Sequence, residues 1–212
     1  ILNDCVSRVF SSVAKKSTMP ILLNINLESL GKKLVLTGSD LETQTKAICV
    51  CDGDDMSTTI PAVKLYGIVK ALPKNENAII ELKDNSAIIK CGRSKFKLST
   101  LHAGDYPTLK SEQDAKIIRI SQNKLRNMIR SVSYAMASGD VRFYLNSAQL
   151  IIDGNVLKLC ATDGHRLSVC ESVINSDIKA SSIIPRKSIL DLQKLLSDTD
   201  EDCDLAIMDN FI

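Results

Sequence analysis

The chain has 212 residues, a length for one or two domains, and its 44% apolar and 25% charged residues favour a packed core over disorder. Its 27 Lys and Arg stand against 25 Asp and Glu, a net +2, so bulk charge does not mark a nucleic-acid binder and only its placement could. No apolar run approaches the roughly 18 residues of a membrane helix, and Asp4 sits where a signal peptide would carry positive charge.

The first element is a helix, predicted by apolar residues at Leu2, Val6, Val9 and Val13. Gly31 then opens a hairpin, and Leu34 and Leu36 alternate on the next strand, which runs into Ser39-Asp40. Ile60-Pro61 opens a second helix carrying Leu65, Ile68 and Leu72, with proline suited to the first helical turn, where its missing N–H would be unpaired anyway. Segments 78–82, 87–91 and 95–99, parted by Asp84-Asn85 and Gly92, read as a strand meander. The apolar pattern breaks between Pro107 and Ala115.

Beyond this break the chain repeats its first half at a spacing of 123 to 124 residues. A strand at 116–120 leads into a helix bearing Leu125, Ile129, Val132 and Met136. Gly154, inside Asp153-Gly154-Asn155, matches Gly31, and Leu157 and Leu159 match Leu34 and Leu36. Thr162-Asp163 matches Ser39-Asp40, and Ile184-Pro185 opens the last helix, with Ile189, Leu192 and Leu196. Two domains are therefore expected, 1–112 and 113–212, of α+β class. Subtracting the period places a strand before residue 1 and residue 212 inside the meander, so the repeat predicts a piece of a longer chain.

Seven cysteines, at 5, 49, 51, 91, 160, 170 and 203, include no Cys-x-x-Cys pair, and with two histidines no zinc constellation can be drawn. They are expected to be buried reduced thiols of a cytosolic protein; no metal and no cofactor are expected. Trp is absent and only eight aromatics occur, which argues against a stacking platform for single-stranded nucleic acid.

Charge placement is uneven. The four predicted helices with their flanks, 1–16, 61–74, 121–132 and 185–196, carry twelve basic residues against Asp4 and Asp191, a balance of +10, while the remainder carries −8. The pattern predicts helices that face a polyanion and sheets that face away. No zinc-finger spacing or basic zipper accompanies it, so binding by phosphate contacts would ignore base sequence, weaken with salt and leave the protein free to move along a duplex.

Two segments of the second copy carry candidate chemistry. In Ala161-Thr162-Asp163-Gly164-His165-Arg166-Leu167 an Asp two residues before a His could orient an imidazole for general-base work, yet no nucleophile motif accompanies it. Copy one continues Leu41-Glu42-Thr43 after Ser39-Asp40, so Gly164-His165-Arg166 is not required by the shared scaffold, and a partner-binding groove is the economical reading. Gly139-Asp140-Val141-Arg142-Phe143-Tyr144 joins a helix to a strand, with Arg beside two aromatics. The rival readings are a hydrolase using Asp163 and His165, a sequence-specific DNA-binding module, and a purely structural repeat protein.

At these residues the sequence resembles the bacterial sliding clamp family, the beta subunit of DNA polymerase III. The resemblance rests on Thr18-Met19-Pro20-Ile21-Leu22, Leu36-Thr37-Gly38-Ser39-Asp40-Leu41-Glu42, the segment 92–101, Asp105-Tyr106-Pro107, Asp140-Val141-Arg142-Phe143-Tyr144-Leu145-Asn146, the segment 161–167 and Ile184-Pro185-Arg186-Lys187. It implies a DNA clamp fold of repeated domains, two helices on antiparallel sheets, with the third domain absent here. It further implies a cytoplasmic, non-catalytic, homodimeric ring around double-stranded DNA, bound without regard to sequence. The polymerase III catalytic subunit, the clamp loader and other proteins with a clamp-binding motif are the implied partners. By the same resemblance Lys16, Gly139, Phe143, Tyr144 and Lys187 approach DNA. Leu145, Thr162, Gly164, His165, Arg166 and Leu167 line the second domain's part of the partner-peptide groove, and Phe96 and Leu98 lie on the strand of the dimer interface.

Overall fold

The computed structural model describes residues 1–73, 76–107, 115–208 and 212, in two compact units, Ile1–Leu109 and Lys110–Ile212. The boundary expected near residue 112 falls within 108–114, and Lys74 falls within 74–75; both lie outside the described residues.

The first unit runs α1 (Leu2–Phe10), a 3-10 turn (Pro20–Leu23), β1 (Asn24–Leu30), β2 (Lys33–Ser39), β3 (Gln44–Val50), β4 (Met56–Pro61), α2 (Ala62–Ala71), β5 (Ile79–Lys83), β6 (Ser86–Cys91) and β7 (Ser94–Ser99). The second runs β8 (Lys116–Ser121), α3 (Gln122–Ser133), a 3-10 turn (Phe143–Asn146), β9 (Ser147–Asp153), β10 (Val156–Thr162), β11 (Leu167–Val173), β12 (Lys179–Pro185), α4 (Arg186–Leu195) and β13 (Asp202–Ile207). Their four-stranded antiparallel sheets have the same order, β3-β2-β1-β4 and β11-β10-β9-β12. Each is accompanied by a smaller sheet, β5-β6-β7 in the first unit and β13-β8 in the second.

Alternation dictates the layering. In β2 and β10 every second residue turns inward, so Leu34 and Leu36, and Leu157 and Leu159, are buried against the helix pair of their unit. From the helix side Val6, Val9 and Leu65 close the first core, and Leu125, Ile129 and Ile189 the second. Phe10 of α1 stacks on Tyr66 of α2 with ring centroids 4.5 Å apart. In the second unit Arg186, at the start of α4, reaches the end of α3 and donates to the Met136 carbonyl at 2.9 Å.

Three local expectations are refined. The first helix, read from the spacing of Leu2 to Val13, ends at Phe10, so Val13 and the flanking Lys15 and Lys16 lie in the connection after it. Pro61 and Pro185 are not first helical residues but close strands β4 and β12; each is an edge strand, where a missing N–H is tolerated. The small sheet β5-β6-β7 with its turns is itself basic, Lys83, Lys90, Arg93, Lys95 and Lys97 standing against Glu81 and Asp84, so the β-layer is not uniformly acidic.

All seven cysteines are free thiols, and Cys5, Cys49 and Cys91 are buried. Burial, with Cys5 alongside, pushes the Cys49 thiol up to about 11, which keeps it protonated and unreactive at neutral pH. Among the described residues no group of three or more His, Cys, Asp or Glu is placed to hold a metal ion.

Candidate functional site

The segment 162–167 is the tight connection between β10 and β11, whose ends Thr162 and Leu167 face each other across the ladder. Side chains hold it closed. The Thr162 hydroxyl donates to the Arg166 carbonyl at 2.7 Å and accepts from the Gly164 amide at 3.1 Å. Asp163 Oδ1 accepts from the amides of His165 and Arg166, both at 3.0 Å, and Oδ2 accepts from Arg166 Nε at 2.9 Å. The His165 amide first, with Arg166 adding, holds the Asp163 carboxyl below the usual carboxylate range. Gly164 sits at φ +90°, in the left-handed region that a side chain disfavours.

This bonding leaves Asp163 out of position to orient the His165 imidazole. Asp163 spends its oxygens on backbone amides and on the Arg166 guanidinium rather than on the His165 ring. What the turn does present is apolar: Leu167 stands 66% exposed at the start of edge strand β11. The Arg166 guanidinium lies 5.5 Å over the Tyr134 ring, just past the end of α3. Ser168 donates to the Ser131 carbonyl of α3 at 2.8 Å, tying the edge strand to the helix.

The loop after α3 is braced in the same manner. Gly139 adopts φ +80°. Asp140 accepts from the Arg142 amide at 2.9 Å and from its Nε and Nη2, both at 3.0 Å, and this pairing holds its carboxyl down at about 2. Asn146 clamps the loop from the far end, accepting from the Asp140 amide at 3.0 Å and donating to its carbonyl at 2.6 Å. With its backbone so fixed, the loop holds Phe143 and Tyr144 out, 73% and 51% exposed, in an edge-to-face pair 5.8 Å apart. A Cβ built on Gly164 would stand 3.8 Å from Arg142 Nη2, so loop and turn adjoin.

The second unit therefore brings together Gly139, Phe143, Tyr144, the buried Leu145 and the turn from Thr162 to Leu167. Lys187 stands apart on α4, half-buried, its ammonium 3.5 Å from Asp191. Lys16 is exposed in the first unit. Phe96 and Leu98 lie on β7, Phe96 half-buried against the first core and Leu98 within it. Sequence reading missed Tyr134 and the Arg142–Gly164 approach, because both depend on loops meeting in space. The only advance signal was the position of Tyr134 one turn after Arg130.

Residues 1–110 match the family model for the DNA polymerase III beta subunit, N-terminal domain, and residues 119–212 match the model for its central domain. The chain belongs to the DNA polymerase III beta subunit family. The beta sliding clamp of Pseudomonas aeruginosa is 39% identical over 92% of this chain and 54% of its own length. That of Escherichia coli K12 is 33% identical over 98% of this chain and 57% of its own length. The crystal structure of the P. aeruginosa clamp bound to griselimycin matches with TM-score 0.92 at 37% identity, covering 98% of this chain and 57% of that one. The Bacillus subtilis clamp matches with TM-score 0.91 at 28% identity, covering 98% and 58%. The chain thus spans about half the length of the curated relatives it matches.

Proposed function

We propose that the protein is a processivity factor: a non-catalytic, homodimeric ring that encircles duplex DNA without reading sequence and tethers the replicative polymerase. The observation that carries this is the ordered match of both units to consecutive domains of one family, over nearly the whole chain. Closure converts weak, salt-sensitive phosphate contacts into long residence, because leaving requires opening the ring. A partner held by its peptide then works at a raised effective concentration at the primer end.

In this reading Leu167 is the apolar lip of the partner groove. Leu145 lies beneath the loop, and the braced turn of Thr162, Gly164, His165 and Arg166 fixes the backbone around it. The peptide-bearing partners are the polymerase catalytic subunit, the clamp loader and other proteins with a clamp-binding motif. Lys16, Gly139, Phe143, Tyr144 and Lys187 form the DNA-facing set, supported by the exposed aromatics and the basic helix flanks. Phe96 and Leu98 sit on the strand assigned to the dimer interface; since Leu98 is in the core, Phe96 is the better contact and Leu98 positions it. A cytoplasmic location follows from the role, and among the described residues no helix is long and apolar enough to cross a membrane.

The test is Leu167→Asp in the full-length protein. It should abolish binding of a polymerase-tail peptide and polymerase-dependent processive extension while dimerisation stays intact. Unchanged peptide affinity would remove the groove assignment.

A further inference from the structure

Tyr134 follows the last residue of α3, and the Arg166 guanidinium of the β10–β11 turn lies over its ring at 5.5 Å. Successive residues entering a strand alternate sides, so Arg166 and Ser168 both turn to the end of α3 while Leu167 between them turns away. Asp163 Oδ2 accepts from Arg166 Nε at 2.9 Å, which leaves the two terminal amines of the guanidinium without a hydrogen-bond partner among the described residues. Ring and guanidinium side chain are each more than half exposed, and a contact so exposed does little to hold a fold. The first unit bears this out. It keeps the tie between helix end and edge strand, since the Ser12 hydroxyl bonds to that of Thr45, which matches Ser168 at the offset of 123. It has no counterpart of the ring and the guanidinium, because Tyr134 corresponds to Ser11 and Arg166 to Thr43. The pair is confined to the unit whose turn is open.

We propose that Tyr134 is a positioning residue of the partner groove, whose ring holds the Arg166 guanidinium in place beside Leu167 before a peptide arrives. The inference rests on the reading of the 162–167 turn as part of that groove. Asp163 fixes the guanidinium at Nε and the ring fixes its face. The terminal amines are therefore aimed as donors for carbonyls of the bound peptide, and a long side chain need not be ordered on binding. Without the ring that ordering cost returns, and affinity falls.

The experiment measures binding of a fluorescent polymerase-tail peptide to the full-length protein by anisotropy, with thermal unfolding as the control for the fold. Tyr134→Leu should weaken binding roughly 3- to 10-fold with the unfolding midpoint unchanged. Tyr134→Phe, which keeps the ring face, should stay within about twofold of the unmodified protein. Arg166→Met should also weaken binding, and in its background Tyr134→Leu should have no further effect, because the ring then has nothing to hold. If neither Arg166→Met nor Leu167→Asp changes the affinity, the groove reading itself fails. If Leu167→Asp abolishes binding but Tyr134→Leu does not weaken it, the positioning role fails alone. An undiminished loss from Tyr134→Leu in the Arg166→Met background would mean that the ring touches the peptide directly, and an equal loss in Tyr134→Phe that the hydroxyl does. Either result overturns the proposal, as does failure of both Tyr134→Leu and Tyr134→Met to fold.

Discussion

The two units make one turn at the same point of their repeat and finish it differently. Asp40 Oδ1 accepts from the amides of Glu42 and Thr43 at 3.1 and 2.7 Å, as Asp163 Oδ1 does from His165 and Arg166. The residue after the aspartate is left-handed in both, Leu41 at φ +76° and Gly164 at φ +90°. In the first unit the chain covers its own turn. Tyr106 is buried against Ile21, Leu22 and Ala14, and Gln44 Nε2 donates to the Pro107 carbonyl at 3.5 Å. At the matching positions of the second unit Tyr144 and Leu167 are exposed, whereas Ile21 is 7% exposed and Gln44 half-buried. The aspartate-bonded turn is thus scaffold, and the side chains beyond it decide whether it is core or contact surface. Gly164 belongs to the scaffold too, since the backbone conformation demands it, while Leu41 meets the same demand under strain.

Removing the cover should have the largest effect on this contrast. Tyr106→Ala should destabilise the first unit by about 3–5 kcal/mol, read by denaturant unfolding, with hydrogen exchange rising around Ile21 and Leu22. Tyr106→Phe should cost far less, at most about 1 kcal/mol, because it keeps the buried ring and removes only the phenol oxygen, which burial pushes up to about 12 against the lowering effect of the Ser39 backbone.

Helix approach separates the units next. A Cβ on Gly38 would meet the Val9 carbonyl at 2.6 Å and its Cγ1 at 2.7 Å, whereas the matching residue of the second unit, Ala161, already carries one in its core. Gly38→Ala should therefore cost about 1–3 kcal/mol in thermal or chemical unfolding, through displacement of α1. Exchanging the left-handed residues should be milder and opposite in sign. Leu41→Gly should stabilise by roughly 0.5–1 kcal/mol, and Gly164→Ala should destabilise by about the same amount.

The smallest effect is a titration. Asp140, held at about 2 by Arg142, should show that midpoint in carboxyl-detected NMR. Its folded pKa is depressed, so its stabilising effect is present above the unfolded value of about 3.9 and is lost as pH falls towards 2. Arg142→Met should move the midpoint back towards about 3.9, and a midpoint left near 2 would mean that the arginine does not brace the loop.

Much of this was legible in the sequence. The repeat was visible because hairpin glycines and buried leucines recur at one spacing, and strand alternation at Leu34 and Leu36 fixed which face is core. The turn at Asp163 was recognisable as special, yet its chemistry was ambiguous: spacing alone could not tell an aspartate that orients an imidazole from one that binds two backbone amides. Asp191 was visible as the one acid of its helix, four residues after Lys187, but its burial was not, because spacing does not say which face of the helix packs. The basic β5-β6-β7 sheet was overlooked because charge was summed over all strands together. Tyr106 entered only through the matching segment Asp105-Tyr106-Pro107, since nothing in those residues says that the ring folds back onto Leu22.

Retention on DNA tests the central claim most directly. The full-length protein, loaded onto nicked circular duplex and followed by gel filtration at a salt concentration that abolishes simple phosphate binding, should stay with the circle and be released once the circle is cut. Equal retention on circular and linear molecules, or loss from both, would mean that the protein holds DNA by contacts and not by encirclement.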